Sequence, residues 1–112
     1  MTVARWRVGL AAAADRDYGD IIDYTNETYG PSQARIYRTT LNRALADLRS
    51  GPLVRGSASR EAVGAGLRSL HVARNGRRGR HLIVYREGPE HIIEVVRILH
   101  DAMDLALHFP KG

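Results

Sequence analysis

The chain has 112 residues, no cysteine, and 17 Lys and Arg against 12 Asp and Glu, for a formal net charge of +5. This length is expected to form one domain, residues 1–112, that buries roughly two-thirds of its extended-chain surface, enough for a two-layer core. Disulfides and thiolate metal sites are excluded, no apolar run is long enough to cross a membrane, and Met1–Leu10 lacks the apolar stretch of a signal peptide, so the expected location is cytoplasmic.

The N-terminal segment reads as a strand, with Trp6, Val8 and Leu10 on one face and Arg5 and Arg7 on the other. A helix is predicted over Ala11–Tyr29, where Ala14, Tyr18, Ile21, Ile22, Thr25 and Tyr29 recur at three- and four-residue spacings. Its other face carries Asp15, Asp17, Asp20, Asp23 and Glu27, which read as a solvated acidic face rather than a metal site. Gly30-Pro31 ends this helix and opens a second, to about Arg49, with Ala34, Tyr37, Leu41, Ala44, Leu45 and Leu48 as its apolar stripe. The short link makes the two an antiparallel hairpin.

Gly51-Pro52 stops the second helix, and Leu53–Gly66 reads as a surface loop in which Ser57 and Ser59 have no partner to make either a nucleophile. The strand pattern resumes at Leu67, and Asn75-Gly76 is a two-residue hairpin signal. Two further strands follow, Leu82–Tyr85 and Ile92–Leu99, joined at Gly88-Pro89; a short helix is predicted over Asp101–Leu107. The order gives a two-layer α+β fold with an N-terminal strand, a helical hairpin on one sheet face, an antiparallel β-meander and a short C-terminal helix. The opposite sheet face is expected to leave apolar surface for a partner.

Charge is unevenly spread. Residues 31–86 hold twelve Arg against two acids, a local charge of about +10, while the flanking segments are net acidic. Such a block attracts a polyanion or an acidic protein segment. Arg97 lies in an otherwise apolar strand and needs a partner; Asp101, Asp104 and Glu94 are the candidates within the domain. No His pair has metal-ligand spacing on one helix face, and neither metal nor cofactor is expected.

Several ordered signals carry a family resemblance: Ala13, Ala14 and Asp17; Ile21 and Tyr24; Tyr29, Gly30, Gln33 and Ala34; Gly66, Leu67, Arg68 and Ser69; His81, Tyr85 and Arg86; and Val96, Arg97, Ile98, Leu99, His100, Met103 and Asp104. Through them nearly the whole chain resembles the ParE-type toxins of the RelE/ParE superfamily, the toxic halves of bacterial type II toxin-antitoxin pairs. The resemblance implies a ParD-like antitoxin laid across the groove between helical hairpin and sheet, and DNA gyrase as the target, inhibited by binding. Antitoxin-contacting positions would be Arg68, His81, Tyr85, Arg86, Arg97 and His100, and target-contacting positions Arg74, Arg77, Arg78, Arg80 and Met103. Neither membrane association nor direct nucleic-acid binding is implied.

The RelE branch instead cuts messenger RNA on the ribosome, and this second reading would recruit Arg68, His71, His81 and Arg86 as catalytic groups. In that branch an Arg commonly sits three residues before the strand tyrosine that Tyr85 resembles, where this chain has Leu82. The segment after His100 offers Asp101 and Asp104 with no Arg or Tyr, so the residues favour an inhibitor over an enzyme. A third reading is an inactive relative that only neutralises or regulates.

Overall fold

The computed structural model describes residues 5–109. Strand β1 (Arg7–Leu10) leads into helix α1 (Ala12–Tyr29), which turns at Gly30 into helix α2 (Pro31–Asp47) and a 3-10 turn, Leu48–Ser50. Strands β2 (Ala58–Ser59), β3 (Arg68–His71), β4 (His81–Glu87) and β5 (Ile92–His100) follow, then a 3-10 turn, Leu105–His108. The five strands form one mixed sheet in the order β1-β5-β4-β3-β2. β1 runs parallel to β5, and every other pair is antiparallel.

The helices form where the three-four spacing lies. Ala14 and Ile22 of α1, with Ala34, Leu41 and Ala44 of α2 and Leu48 just beyond it, are buried against Leu70, Val72, Ile83, Tyr85, Ile93, Val95 and Ile98. Each large aliphatic side chain so buried contributes about 1.5–3 kcal/mol before entropy is charged against it. Pro31 opens α2, where its missing N–H costs nothing, and Tyr18 of α1 donates to Asn42 of α2 at 2.6 Å. Tyr29 departs from its expected place in the apolar stripe: it is the last residue of α1, and its side chain is 66% exposed.

Three further expectations are corrected. The segment read as a plain loop contains β2, which extends the sheet by pairing Ala58 with Ser69 and Ser59 with Arg68. The expected C-terminal helix is only the short 3-10 turn, preceded by bends, with Asp104 accepting from the Ala106 N–H at its start. The far sheet face is not bare at its centre: Val84 and Leu99, which alternate with core-facing Ile83 and Ile98, are 0% and 3% exposed. The large exposed apolar side chains are instead Tyr24, Tyr29, Ile36, Leu53, Met103 and Leu107.

Two local devices set the strand ends. Asn75 (φ 53°) and Gly76 (φ 80°) form a tight turn closed by Arg77 N–H on the Arg74 carbonyl at 3.0 Å, with both central residues left-handed as their types permit. Between β4 and β5 the register shifts at Val84/Tyr85: Val84 faces Arg97 and Tyr85 faces Val95, leaving Val96 as a bulge. That bulge lets Val95 and Ile98, three residues apart, both reach the core.

Candidate functional site

Antiparallel pairing gathers three histidines at one end of the sheet. His71 ends β3 opposite Leu82, and His81 opens β4 opposite His100 at the end of β5. The His81 and His100 rings meet edge to face with centroids 5.5 Å apart. Tyr37 reaches this group from α2: its hydroxyl donates to His81 Nδ1 at 2.5 Å and accepts from the Arg80 N–H at 3.1 Å. Gly79 makes that approach possible, since a Cβ there would lie 2.5 Å from Val72 Cγ2 and 3.0 Å from the Tyr37 hydroxyl.

Asp101 anchors the outer side of the same group. Its carboxylate accepts from His71 Nε2 at 2.9 Å, from Arg80 Nε at 3.2 Å and from Arg80 Nη2 at 3.1 Å, while its N–H donates to the Arg80 carbonyl at 2.8 Å. His71 Nδ1 accepts the Ala73 N–H at 2.9 Å, so in the neutral ring the proton sits on Nε2, toward the carboxylate. His100 Nδ1 similarly accepts the Ala102 N–H at 3.1 Å.

These contacts move the titrations apart. The hydrogen bond from His71, then those from Arg80, hold the Asp101 carboxyl down at about 2. Burial, then the neighbouring His100, pushes His81 down to about 4, so this imidazole is neutral near pH 7. Burial also raises the Tyr37 hydroxyl. Among the described residues no group of three or more His, Asp or Glu is placed to hold a metal ion.

The other singled-out residues lie elsewhere, and several are spent on internal contacts. Arg68 Nε and the Tyr85 hydroxyl both donate to the Pro52 carbonyl, at 2.9 and 2.6 Å, and Arg68 Nη2 reaches Ser57 Oγ at 2.8 Å. Arg86 pairs with Glu94 at 2.7 Å across the strands. Arg74 is held by Asp47 and the Arg55 carbonyl at 2.9 and 2.8 Å, not free at the hairpin tip. Arg97 is paired with Asp17 of α1 at 2.8 Å, not with Asp101, Asp104 or Glu94; Asp17 therefore leaves the solvated acidic face expected of it. Arg78 and Met103 are exposed and Arg77 is half-buried.

The four groups of the ribonuclease reading do not form one site. His71 and His81 share one end of the β3/β4 pair, whereas Arg68 and Arg86 lie toward the other, about 10 and 13 Å farther along the strands at the usual rise. The sequence assigns no site role to Tyr37, Asp17 or Asp47. Tyr37 looked like one more apolar position of α2, and no local pattern links Asp17 to Arg97 or Asp47 to Arg74.

A helical hairpin on a mixed sheet, with the first strand parallel to the last, is the fold of the RelE/ParE toxins. A chain of the chromosomal ParDE toxin-antitoxin system from P. aeruginosa superposes with a TM-score of 0.67 at 18% identity, over 88% of this chain and 98% of that one. A chain of the RelBE2 toxin-antitoxin complex from Mycobacterium tuberculosis superposes with a TM-score of 0.54 at 27% identity, over 86% and 98%. The model of the ParE toxin of type II toxin-antitoxin systems matches residues 8–105. Toxin ParE1 of Mycobacterium tuberculosis is 33% identical over 96 residues, 86% of this chain and 90% of that protein. The chain belongs to the ParE toxin family of type II toxin-antitoxin systems.

Proposed function

We propose that this chain is held inactive by a ParD-like antitoxin and, once released, inhibits DNA gyrase in the bacterial cytoplasm by binding rather than by turnover. Membership of the ParE family supports the toxin role, and the two structural neighbours above come from toxin-antitoxin systems. No helix among the described residues is long and apolar enough to cross a membrane. The observation that carries binding over catalysis is the commitment of the polar groups a ribonuclease would need: Arg68 to Pro52 and Ser57, both His71 nitrogens to Asp101 and Ala73, and Arg86 to Glu94.

One arrangement favours the ribonuclease as a second reading. His81 and His100, with the Tyr37 hydroxyl beside them, put two imidazoles in contact, one of them neutral near pH 7, as proton transfer to and from a 2′-hydroxyl and its leaving oxygen requires. Induced expression followed by parallel assays of gyrase supercoiling and of transcript cleavage at ribosomal A sites separates the two. Lost supercoiling with intact transcripts is the expected result. Cut transcripts with normal supercoiling, abolished by His81→Gln or His100→Gln, would establish the ribonuclease instead.

A further inference from the structure

The structure assigns the outer face of the helical hairpin to a second copy of this chain, packed α1 on α2 about a two-fold axis that runs parallel to the helices. The two helices divide that face by charge. On α1, Asp20, Asp23 and Glu27 are exposed, with Arg16 the one basic side chain in the helix, and among the described residues none of these acids holds an ion pair. On α2, Arg35, Arg38 and Arg43 are exposed, and the one acid of that helix, Asp47, is taken by Arg74 at 2.9 Å. Among the described residues Arg35 reaches only Ser32 Oγ of its own helix, at 3.4 Å, and Arg38 and Arg43 hold no ion pair or side-chain hydrogen bond. Asp23, Arg35 and Arg38 line one hollow between the helices without closing an ion pair across it.

A surface with an acidic half and a basic half side by side is complementary to itself under a two-fold rotation, which is what an isologous interface requires. Rotation about an axis along the seam sets α1 of each copy over α2 of the other, antiparallel, and leaves every residue at its own level along the helices. The hydrogen bond from Tyr18 to Asn42 fixes those levels. At the helical rise, Asp20 and Asp23 lie about 3 and 7.5 Å past Tyr18, while Arg38 and Arg35 lie about 6 and 10.5 Å past Asn42 in the same direction. Glu27, at about 13.5 Å, is a second neighbour of Arg35, and Asp15 and Arg43 match on the other side, at about 4.5 and 1.5 Å. Each acid is thus about 3 Å or less, along the axis, from an arginine of the other copy. With 18 residues in α1, the face is about 27 Å long and two helix diameters, about 20 Å, wide, so pairing buries on the order of 1,100 Å² in total, the low end of specific interfaces. The dimer is therefore reversible and salt-sensitive, with its two sheets on opposite outer sides.

Sedimentation of the full chain without any partner tests this. At about 0.1 mM protein a dimer is expected at low salt, where the Debye length is about 30 Å, and a monomer at about 1 M salt, where it is about 3 Å. Arg35→Glu with Arg38→Glu makes the whole face acidic, and Asp20→Arg with Asp23→Arg makes it basic. Each variant alone should dimerise at least about tenfold more weakly, because like charges then face each other. Mixed one to one, the two variants should form a heterodimer, since the acidic face of one then covers the basic face of the other. Charge attraction within a single hairpin cannot produce that rescue. A second measurement leaves the charges unaltered. Gly19 lies on the same helix row as Asp15, Asp23 and Asn26, along the seam, and is exposed with open space around it. The chain has no cysteine, so Gly19→Cys places a single thiol beside the axis, opposite its own copy. A short bis-maleimide should link it into a covalent dimer at low salt, and should link Arg78→Cys, at the exposed hairpin tip, far less. A monomer at low salt, a mixture of the two charge variants that stays monomeric, or equal linking through Gly19→Cys and Arg78→Cys would overturn the interface.

Discussion

Asp17 of α1 and Arg97 of β5, 80 positions apart, form a two-point ion pair at 2.8 and 3.0 Å, and the same carboxylate accepts the Ile98 N–H at 2.9 Å. β1 stops pairing with β5 where the Ala11 N–H meets the Val95 carbonyl, so the Ile98 N–H has no strand beside it. Asp17 takes the place of the missing strand and neutralises a guanidinium that β5 would otherwise hold unpaired. Asp17→Ala should therefore cost about 2 kcal/mol, or roughly 8 °C in Tm. Asp17→Leu combined with Arg97→Met should be more stable than Asp17→Ala alone, because it leaves no half-buried charge. Denaturant titrations of the three variants check this, and a loss under about 0.5 kcal/mol for Asp17→Ala would mean the pair is only decorative.

The polar cluster makes stability depend on acid in two separate windows. His81, ordinarily near 6.5, sits at about 4 in the folded chain because burial, then His100, disfavours its charged form. Between those values the unfolded chain binds the extra proton, so His81 contributes stability that is complete above 6.5 and is lost as pH falls toward 4. Asp101, ordinarily 3.8, sits at about 2 and contributes stability that is present above 3.8 and lost as pH falls through 2. Unfolding at pH 7, 5 and 3 should show His81→Gln flattening the first window and Asp101→Asn the second. If the slope between pH 6.5 and 4 is unchanged in His81→Gln, another group carries it.

Tyr85 and Arg68 share the Pro52 carbonyl and so tie the loop after α2 to the sheet. Tyr85→Phe keeps the ring in its buried position but removes one of the two donors. The expected loss is about 1 kcal/mol, with faster proteolysis within residues 52–57. An unchanged digestion pattern would show that Arg68 alone suffices.

Gly79 lies against Tyr37 and Val72. In Gly79→Ala the methyl must displace Val72 and also presses on the Tyr37 ring and hydroxyl, at a cost of about 1–3 kcal/mol, and the Tyr37 hydroxyl is drawn off His81. Imidazole NMR titration should then find His81 moved back toward its ordinary value as water reaches it. A His81 titration identical to that of the unaltered chain would show that Val72 alone yields.

Much of this architecture was legible from residue spacing. The helical hairpin follows from three-four periodicity closed by Gly30-Pro31, and the meander from β-branched runs cut by Asn75-Gly76 and Gly88-Pro89. What spacing does not carry is register. His71, His81 and His100 look unrelated along the chain and meet only because two antiparallel pairings bring their strand ends together. The bulge at Val96 hides β5's alternation, so the sequence by itself points Arg97 toward a carboxylate of its own neighbourhood. Asp17 was assigned to water because helical periodicity describes only the helix itself, not the sheet edge beside it. β2, two residues in a Gly- and Ser-rich stretch, is set by its pairing with β3 rather than by its own composition.

The parallel pairing of β1 with β5 also constrains synthesis. β5 lies between β1 and β4, so until residues 92–100 have emerged the first strand has no neighbour and the helices have only part of their platform. Contacts of such sequence separation form late, and a nascent chain halted before Ile92 holds the helical hairpin without the sheet that positions the histidines. The sheet is therefore completed only when its last long strand joins, and the first strand, made earliest, waits longest for its partner.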